Sequence, residues 1–388
     1  MSARVLSLAA LALALPLAPE VAAQSAPERS AHHAYRVVPV VDGLINPWSM
    51  AFLPHGDMLV TERAGRLRVV RAGRLLPDAV AGVPAARVGN QGGLLDVVLH
   101  PRFAQNRLVY LSYSKPSEDG TRGTTAVVRG RFENDRLSNI EEIFVAEVWS
   151  EGQGHYGSRL AFDRDGFLFI TVGDRQVPST GDLEAHPAQG LATHHGKILR
   201  LHDDGRVPAD NPFVGQAGAL PQIWSYGHRN SQGLFVHPET NDVWATDHGP
   251  QGGDELNLIQ RGRNYGWPVI GYGVNYRSGT NIHSGTTRAG MEQPVKIWVP
   301  SIATSGLMLY TGDKFPGWRG SVFSGGMSGE VLVRLTLDGQ RVVGEELLAQ
   351  RRGRIRDVRQ GTDGFIYLAI DDRGGAPSGI VRLEPVAR

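Results

Sequence analysis

One unit recurs six times along the chain and limits what it can fold into. A turn rich in Gly, Asp or Asn precedes a short, β-rich, roughly alternating run. The six are "LPHGDMLVTERAGRLRVV" (53–70), "FAQNRLVYLSYS" (103–114), "DRDGFLFITVGD" (163–174), "HPETNDVWATDHGP" (237–250), "FPGWRGSVFSGG" (315–326) and "GTDGFIYLAIDDRGG" (361–375). Most are followed by a partner run, such as "GKILRL", "GEVLVRL" or "SGIVRLEP". A sustained 3.6-residue period is almost absent, and short strands with regular turn signals predict an all-β chain. Six units over about 350 residues give about 60 residues each, near the upper end of propeller blade lengths. The expectation is a six-bladed β-propeller, which manages its sheet edges by radial repetition around a central channel. A large β-sandwich or β-helix is the alternative. Loops on one rim would carry the site. No linker divides the chain, so residues 36–388 read as a single domain.

The N-terminus is of a different kind. Arg4 precedes the apolar run "VLSLAALALALPL" and then "VAAQ", the pattern of a signal peptide over 1–23 with cleavage between Ala23 and Gln24. The run is too short to span a bilayer comfortably, and no later stretch is apolar for long enough. The chain is therefore expected to be exported across the inner membrane, to the periplasm or the exterior, with no membrane span after processing. Residues 24–35, including "SAPERSAHHA", read as a polar, disordered lead-in. A formal net charge of +1 leaves no footprint for nucleic acid, and the absence of cysteine excludes disulfides and thiolate metal sites. Of 40 basic residues only Lys115, Lys197, Lys296 and Lys314 are lysines, so a lone arginine carries little weight here.

Five stretches can carry chemistry. In "GHYGSRL" glycines flank His155, a residue suited to general-base work near neutral pH. Asp174, at the end of the following strand, can orient the imidazole. A purely structural turn histidine fits the same residues. "GHRNSQGL" sets Arg229 beside Asn230, a planar cationic fork next to a neutral amide. "DHGPQGGDELNLI" and "RGRNYGWP" form a backbone-rich acidic turn that suits calcium but lacks EF-hand spacing; a glycine-rich turn with solvated acids is the plain alternative. "GRIRDV" places Arg354 and Arg356 two apart, on one face of a strand, as a polyanion would require. "GNQGGLLDVVLHPRF" presents Gln91 between turn residues before a buried strand. Arg159 has no assigned role beyond bracing its turn, and Trp298 in "KIWVPSIATSG" fits either the core or a site near a sugar.

In order, "NQGGLLDVVLHPRF", "GHYGSRLAFDRDG", "YGHRNSQGL", "HGPQGGDELNLI", "NYGWP" and "RIRDV" resemble the soluble pyrroloquinoline quinone (PQQ)-dependent sugar dehydrogenases, and within them the bacterial aldose sugar dehydrogenase branch, from about Val37 to Pro385. The resemblance implies a six-bladed propeller that uses PQQ and Ca2+ to oxidise an aldose at C1 to the lactone, by histidine-assisted hydride transfer to the quinone. It implies that His155 is the base and Asp174 its partner. It places Gln91, Arg229 and Asn230 at the cofactor and substrate, and Arg354 and Arg356 on the cofactor's carboxylates. The backbone carbonyls of Gly249 and Pro250 would hold the cofactor's calcium, with Glu255 and Tyr265 at a second, structural calcium. A periplasmic cytochrome would accept the electrons, and the chain would act as a monomer. Two positions depart from the family: Met327 in "SGGMSGE" replaces a lysine, and His248 replaces a glutamine. Two other readings therefore stay open, a non-catalytic or PQQ-impaired binding propeller and a calcium-dependent propeller lactonase.

Overall fold

Six antiparallel sheets, five of four strands and one of five, make up the computed structural model, which describes residues 26–386. The expected signal peptide lies outside the described residues. The innermost strands of the sheets are Pro47–Phe52, Leu94–Leu99, Leu160–Phe162, Ser231–Val236, Thr304–Leu309 and Arg354–Gln360. Each packs against the next and the last against the first, so they form a closed ring. The fold is a six-bladed β-propeller. The ring is sealed by the two ends of the chain: Ala34–Ile45 pairs antiparallel with Pro377–Pro385, from Tyr35 opposite Pro385 to Ile45 opposite Pro377.

The six repeated sequence units supply the second strand of each blade: Met58–Glu62, Leu108–Pro116, Leu168–Val172, Val243–Asp247, Val322–Gly326 and Ile366–Asp371. These strands have strand neighbours on both sides and a neighbouring blade over each face. All five residues of Leu168–Val172 are buried, for example. Outer strands face solvent and alternate, as in Arg341–Leu348. The turns before the second strands follow from their residues. In "DRDGF" the Asp163 carboxylate accepts from Asp165 N at 3.0 Å and Phe167 N at 2.8 Å, while Gly166 takes φ +85°. Apolar side chains fill the six junctions between blades. Leu59 and Val69 of blade 1 meet Leu111 and Val128 of blade 2, and Leu234 and Ala245 of blade 4 meet Phe169 and Ile198 of blade 3. The core is thus a ring of wedges.

Where the inner strands converge, the side chains are charged. Arg159, 1% exposed, donates to Asp96 Oδ1 (3.2 Å), Asp357 Oδ1 (3.0 Å) and the Gln232 carbonyl (2.8 Å), and its guanidinium lies 4.2 Å from the Trp48 ring centroid. Arg359 donates to Asp357 Oδ2 at 2.9 Å and Asp96 Oδ1 at 3.2 Å. Ser49 Oγ, Met50 N and Leu160 N take up the remaining carboxylate capacity. Blade 5 leaves room for this network: a Cβ on Gly306 would lie 2.3 Å from Asp357 Oδ1. Arg159 therefore does more than brace its turn, since it joins blades 1, 2, 3, 4 and 6.

The lead-in differs from the disorder expected of it. Glu28–Arg29 pairs with Ala34 and Tyr35, Arg352 reaches Glu28 at 2.6 Å, and Ala31 N donates to Glu346 Oε1 at 2.6 Å. His33 accepts from Gly317 N at 3.0 Å and packs edge-on against Phe315 and Trp318. Apart from the local pairing with Ala34 and Tyr35, these partners lie roughly 300 residues away in the chain, beyond the reach of local composition.

Removing the central cation leaves two buried carboxylates short of a partner. Arg159→Met is expected to lower the unfolding free energy by about 3–5 kcal/mol in a denaturant titration; a loss of less than about 1 kcal/mol, typical of a surface change, would contradict the role given to the network.

Candidate functional site

The histidine turn is built by close backbone approach. His155 sits at φ +48°, a conformation uncommon outside glycine. A Cβ on Gly173 would fall 2.1 Å from His155 O, so "TVGD" needs its glycine. The turn is pinned by two amides: His155 N donates to Gln91 Oε1 at 2.8 Å, and Gly157 N donates to Asn230 Oδ1 at 3.0 Å. His155 Nδ1 meets Asp174 Oδ1 at 2.6 Å. Asp174 Oδ1 also accepts from Gln176 N, and its Oδ2 accepts from Trp267 Nε1, both at 2.8 Å. Burial works against the Asp174 anion, but His155, Arg229 and the Gln176 amide outweigh it and hold the carboxyl below its usual range. Burial, then Arg229, pulls the imidazole of His155 below its usual value despite Asp174. The pair is thus a carboxylate bonded to a neutral imidazole through Nδ1, which leaves the Nε2 lone pair as the basic site.

Asp247 sets the next loop, accepting from Arg229 N at 2.8 Å and Asn230 N at 2.6 Å. Arg229 spends Nη1 on the carbonyls of His248 (3.1 Å) and Gly249 (2.9 Å), with its guanidinium 5.1 Å from the Trp267 ring centroid. Gln91 and Asn230 both line a cavity of about 720 Å³, as do His248, Gly249, Pro250, Met327, Arg354 and Arg356. A β-bulge between Ile355 and Asp357 lets Arg356 face this cavity while Asp357 joins the central network. Arg356 donates to Gln232 Oε1 at 3.1 Å and Asp371 Oδ2 at 3.2 Å. Arg354 contacts Met327 through its carbonyl and sulfur. Arg63 and Arg373 also line the cavity, whose acids are Asp254 and Asp371. Asp254 is occupied by Gly249 N, Ser301 Oγ and Thr304 N. Four arginines against two engaged carboxylates suit an organic polyanion.

The residues expected around calcium fall into two groups. Gly249 and Pro250 line both the large cavity and a void of about 20 Å³, which Asp247, Glu255 and Tyr265 also line. Glu255 has one hydrogen bond, from Asn257 Nδ2 at 3.0 Å. Burial, then the nearby charges of Asp247 and Asp254, pushes its carboxyl up to about 8 against the pull of Asn257. A half-buried acid with no cationic partner among the described residues, beside an ion-sized void, fits a divalent cation held mainly by oxygen. Tyr265 brings no side-chain oxygen: its hydroxyl is used by Gln260 N and the Leu258 carbonyl. The Gly249 carbonyl is used by Arg229. Among the described residues no three His, Asp or Glu side chains gather as a metal cluster, so a cation here would depend on backbone carbonyls.

Trp298 belongs to the core, buried and bonded through Nε1 to Glu345, so its placement near a sugar is not supported. Sequence reasoning missed Trp267, Asp247, Asp371, Gln232 and Arg63. The only signal available was their nearness to the motifs in "NYGWP", "ATDHG", "AIDD", "RNSQG" and "TERAG".

Comparison with known proteins follows the same lines. The family model described as Glucose / Sorbosone dehydrogenase matches residues 44–382. Aldose sugar dehydrogenase YliI of Escherichia coli K12 is 43% identical over 341 residues, covering 86% of this chain and 89% of the relative. The crystal structure of the soluble aldose sugar dehydrogenase from Escherichia coli in its apo form superimposes with a TM-score of 0.84 at 40% identity, covering 91% of this chain and 100% of the other. The PQQ-bound aldose sugar dehydrogenase of Streptomyces coelicolor superimposes with a TM-score of 0.72 at 29% identity, covering 92% and 99%.

Two outcomes test this geometry without any ligand. Trp267→Phe leaves Asp174 Oδ2 short of a donor in a buried place and should cost about 1–3 kcal/mol of stability by urea titration; an unchanged midpoint would contradict the bond. Glu255 holds its proton to about pH 8 when folded, against a usual value of 4.5. Its contribution to stability is therefore complete below pH 4.5 and is lost as pH rises through 8. Glu255→Gln should remove that part of the slope in unfolding curves between pH 5 and 8, and an unaltered slope would contradict it.

Proposed function

The chain belongs to the glucose/sorbosone dehydrogenase family, which makes it a sugar dehydrogenase, and we propose that it is PQQ- and calcium-dependent and oxidises aldoses at C1 to lactones. The observation that carries this reading is the cavity of about 720 Å³ that gathers Arg63, Arg354, Arg356 and Arg373 next to the turn presenting a neutral imidazole backed by Asp174. The arginines fit a planar tricarboxylate, and the Streptomyces relative is a PQQ-bound protein. When bound, PQQ supplies the hydride acceptor and calcium a Lewis acid.

The chain's own residues orient and move a proton. Arg354 and Arg356 hold carboxylates by charge-assisted bonds, with Arg356 kept in place by Gln232 and Asp371. Arg229, Asn230 and Gln91 position the reacting end. His155 Nε2 takes the C1 hydroxyl proton as hydride leaves C1. Asp174 then stabilises the imidazolium, as in other His–Asp pairs. Trp267 and Gln176 keep the carboxylate aimed. The carbonyls of Gly249 and Pro250 would hold the cofactor's calcium, and Glu255 would hold a second, structural one. Export, a periplasmic cytochrome as electron acceptor and action as a monomer complete the proposal. A channel-centred calcium lactonase is disfavoured, because the carboxylates at the hub, Asp96 and Asp357, are taken by Arg159 and Arg359.

Metal-free protein mixed with PQQ and calcium should oxidise aldoses with an artificial dye. His155→Ala should bind PQQ with unchanged affinity and turn over at least about 100-fold more slowly. Normal turnover in that variant would remove His155 from its role, and dye reduction without PQQ would remove the quinone.

A further inference from the structure

Of the cations on the cavity wall, the two expected to hold carboxylates are already engaged. Arg356 is tied to Asp371 and Gln232, and Arg354 faces Met327 with Asp371 at 3.7 Å. Arg63 differs. It lines the same cavity, is half-buried, and its guanidinium has no hydrogen-bond or ion-pair partner among the described residues. The neighbouring acid, Glu62, cannot serve it. Glu62 is fully buried and is spent on Ile45 N at 2.6 Å, Arg66 at 2.6 Å and Arg68 at 3.3 Å.

The backbone of Arg63 is held firmly while its charge is left free. Its amide donates to Asn46 O at 3.1 Å and its carbonyl accepts from Leu94 N at 3.2 Å. Gly93 lets the segment sit this close: at φ +149° it has no Cβ, and one placed there would lie 1.8 Å from Arg63 O and 2.7 Å from Arg63 Cγ. The wall also carries like-charge strain. Burial, then repulsion from Arg354 and Arg63, pulls Arg356 down to about 10 despite Asp371. A polyanion would relieve that strain, and across the cavity Met327 supplies a thioether and no charge.

We propose that Arg63 is a further anion-anchoring residue of the cavity, a half-buried free guanidinium to which a carboxylate of a multiply charged planar ligand binds. The inference rests on the PQQ reading only for the identity of that ligand.

The test uses the chain supplied with calcium and two probes, PQQ followed by absorbance and benzene-1,3,5-tricarboxylate followed by calorimetry. Arg63→Gln should weaken both by about 10-fold or more, and its residual binding should respond less to added salt than the wild type's. Arg63→Lys, which keeps the charge, should recover part of the loss, and thermal melts identify any variant that has failed to fold. If the tricarboxylate binds and weakens in Arg63→Gln while PQQ does not bind the wild type, the anchor stands and the quinone reading falls. If the wild type binds both probes and a folded Arg63→Gln binds both as well, the anchor falls and the quinone reading stands. Equal losses in folded Gln and Lys variants, or no tricarboxylate binding to the wild type, would also overturn it.

Discussion

The structure depends on a neutralised ionic hub. Six wedge-shaped sheets leave a space at their convergence that apolar side chains do not fill. Arg159 and Arg359 occupy it with Asp96 and Asp357. Buried ion pairs give little net stability over well-packed apolar side chains, but breaking one is costly. Their worth here is geometric. A guanidinium offers donors in fixed directions, so Arg159 sets the inner strands of blades 2, 3, 4 and 6 against one another and packs on Trp48 of blade 1.

The hub also links to the cavity. Arg159 holds the carbonyl of Gln232, whose side chain steadies Arg356. It lies four residues beyond His155 on the segment that leads from the histidine turn into blade 3, and Thr171 Oγ1 accepts its amide. The propeller therefore sets the His155–Asp174 pair near a group of arginines, each held in place by further side chains. Among the supporting residues Trp267 secures the aspartate while also packing beside Arg229.

Much of this was legible because it is local or periodic. The six turn-and-strand units became the second strands, since a strand covered on both faces is mostly apolar and leaves a plain trace in sequence. The pairing of His155 with Asp174 spans only 19 residues, the length of two short strands and their turns. Trp267 reaches Asp174 across 93 residues and Arg159 reaches Asp357 across 198; nothing in local spacing records such contacts. The lead-in was misread for the same reason, its charges being met by residues at the far end of the chain. Trp298 was ambiguous because a tryptophan serves a core and a ligand equally well, and only its bond to Glu345 decides.

As proposed, an aldose C1–H bond breaks toward a quinone held in the arginine-lined cavity while His155 takes the hydroxyl proton. The most direct measurement is single-turnover reduction of the PQQ-loaded protein by an aldose carrying hydrogen or deuterium at C1, followed through the quinone absorbance. Reduction in a single phase that deuterium slows is the expected result. Equal rates for the two sugars, or sugar oxidation with no change in the quinone spectrum, would contradict it.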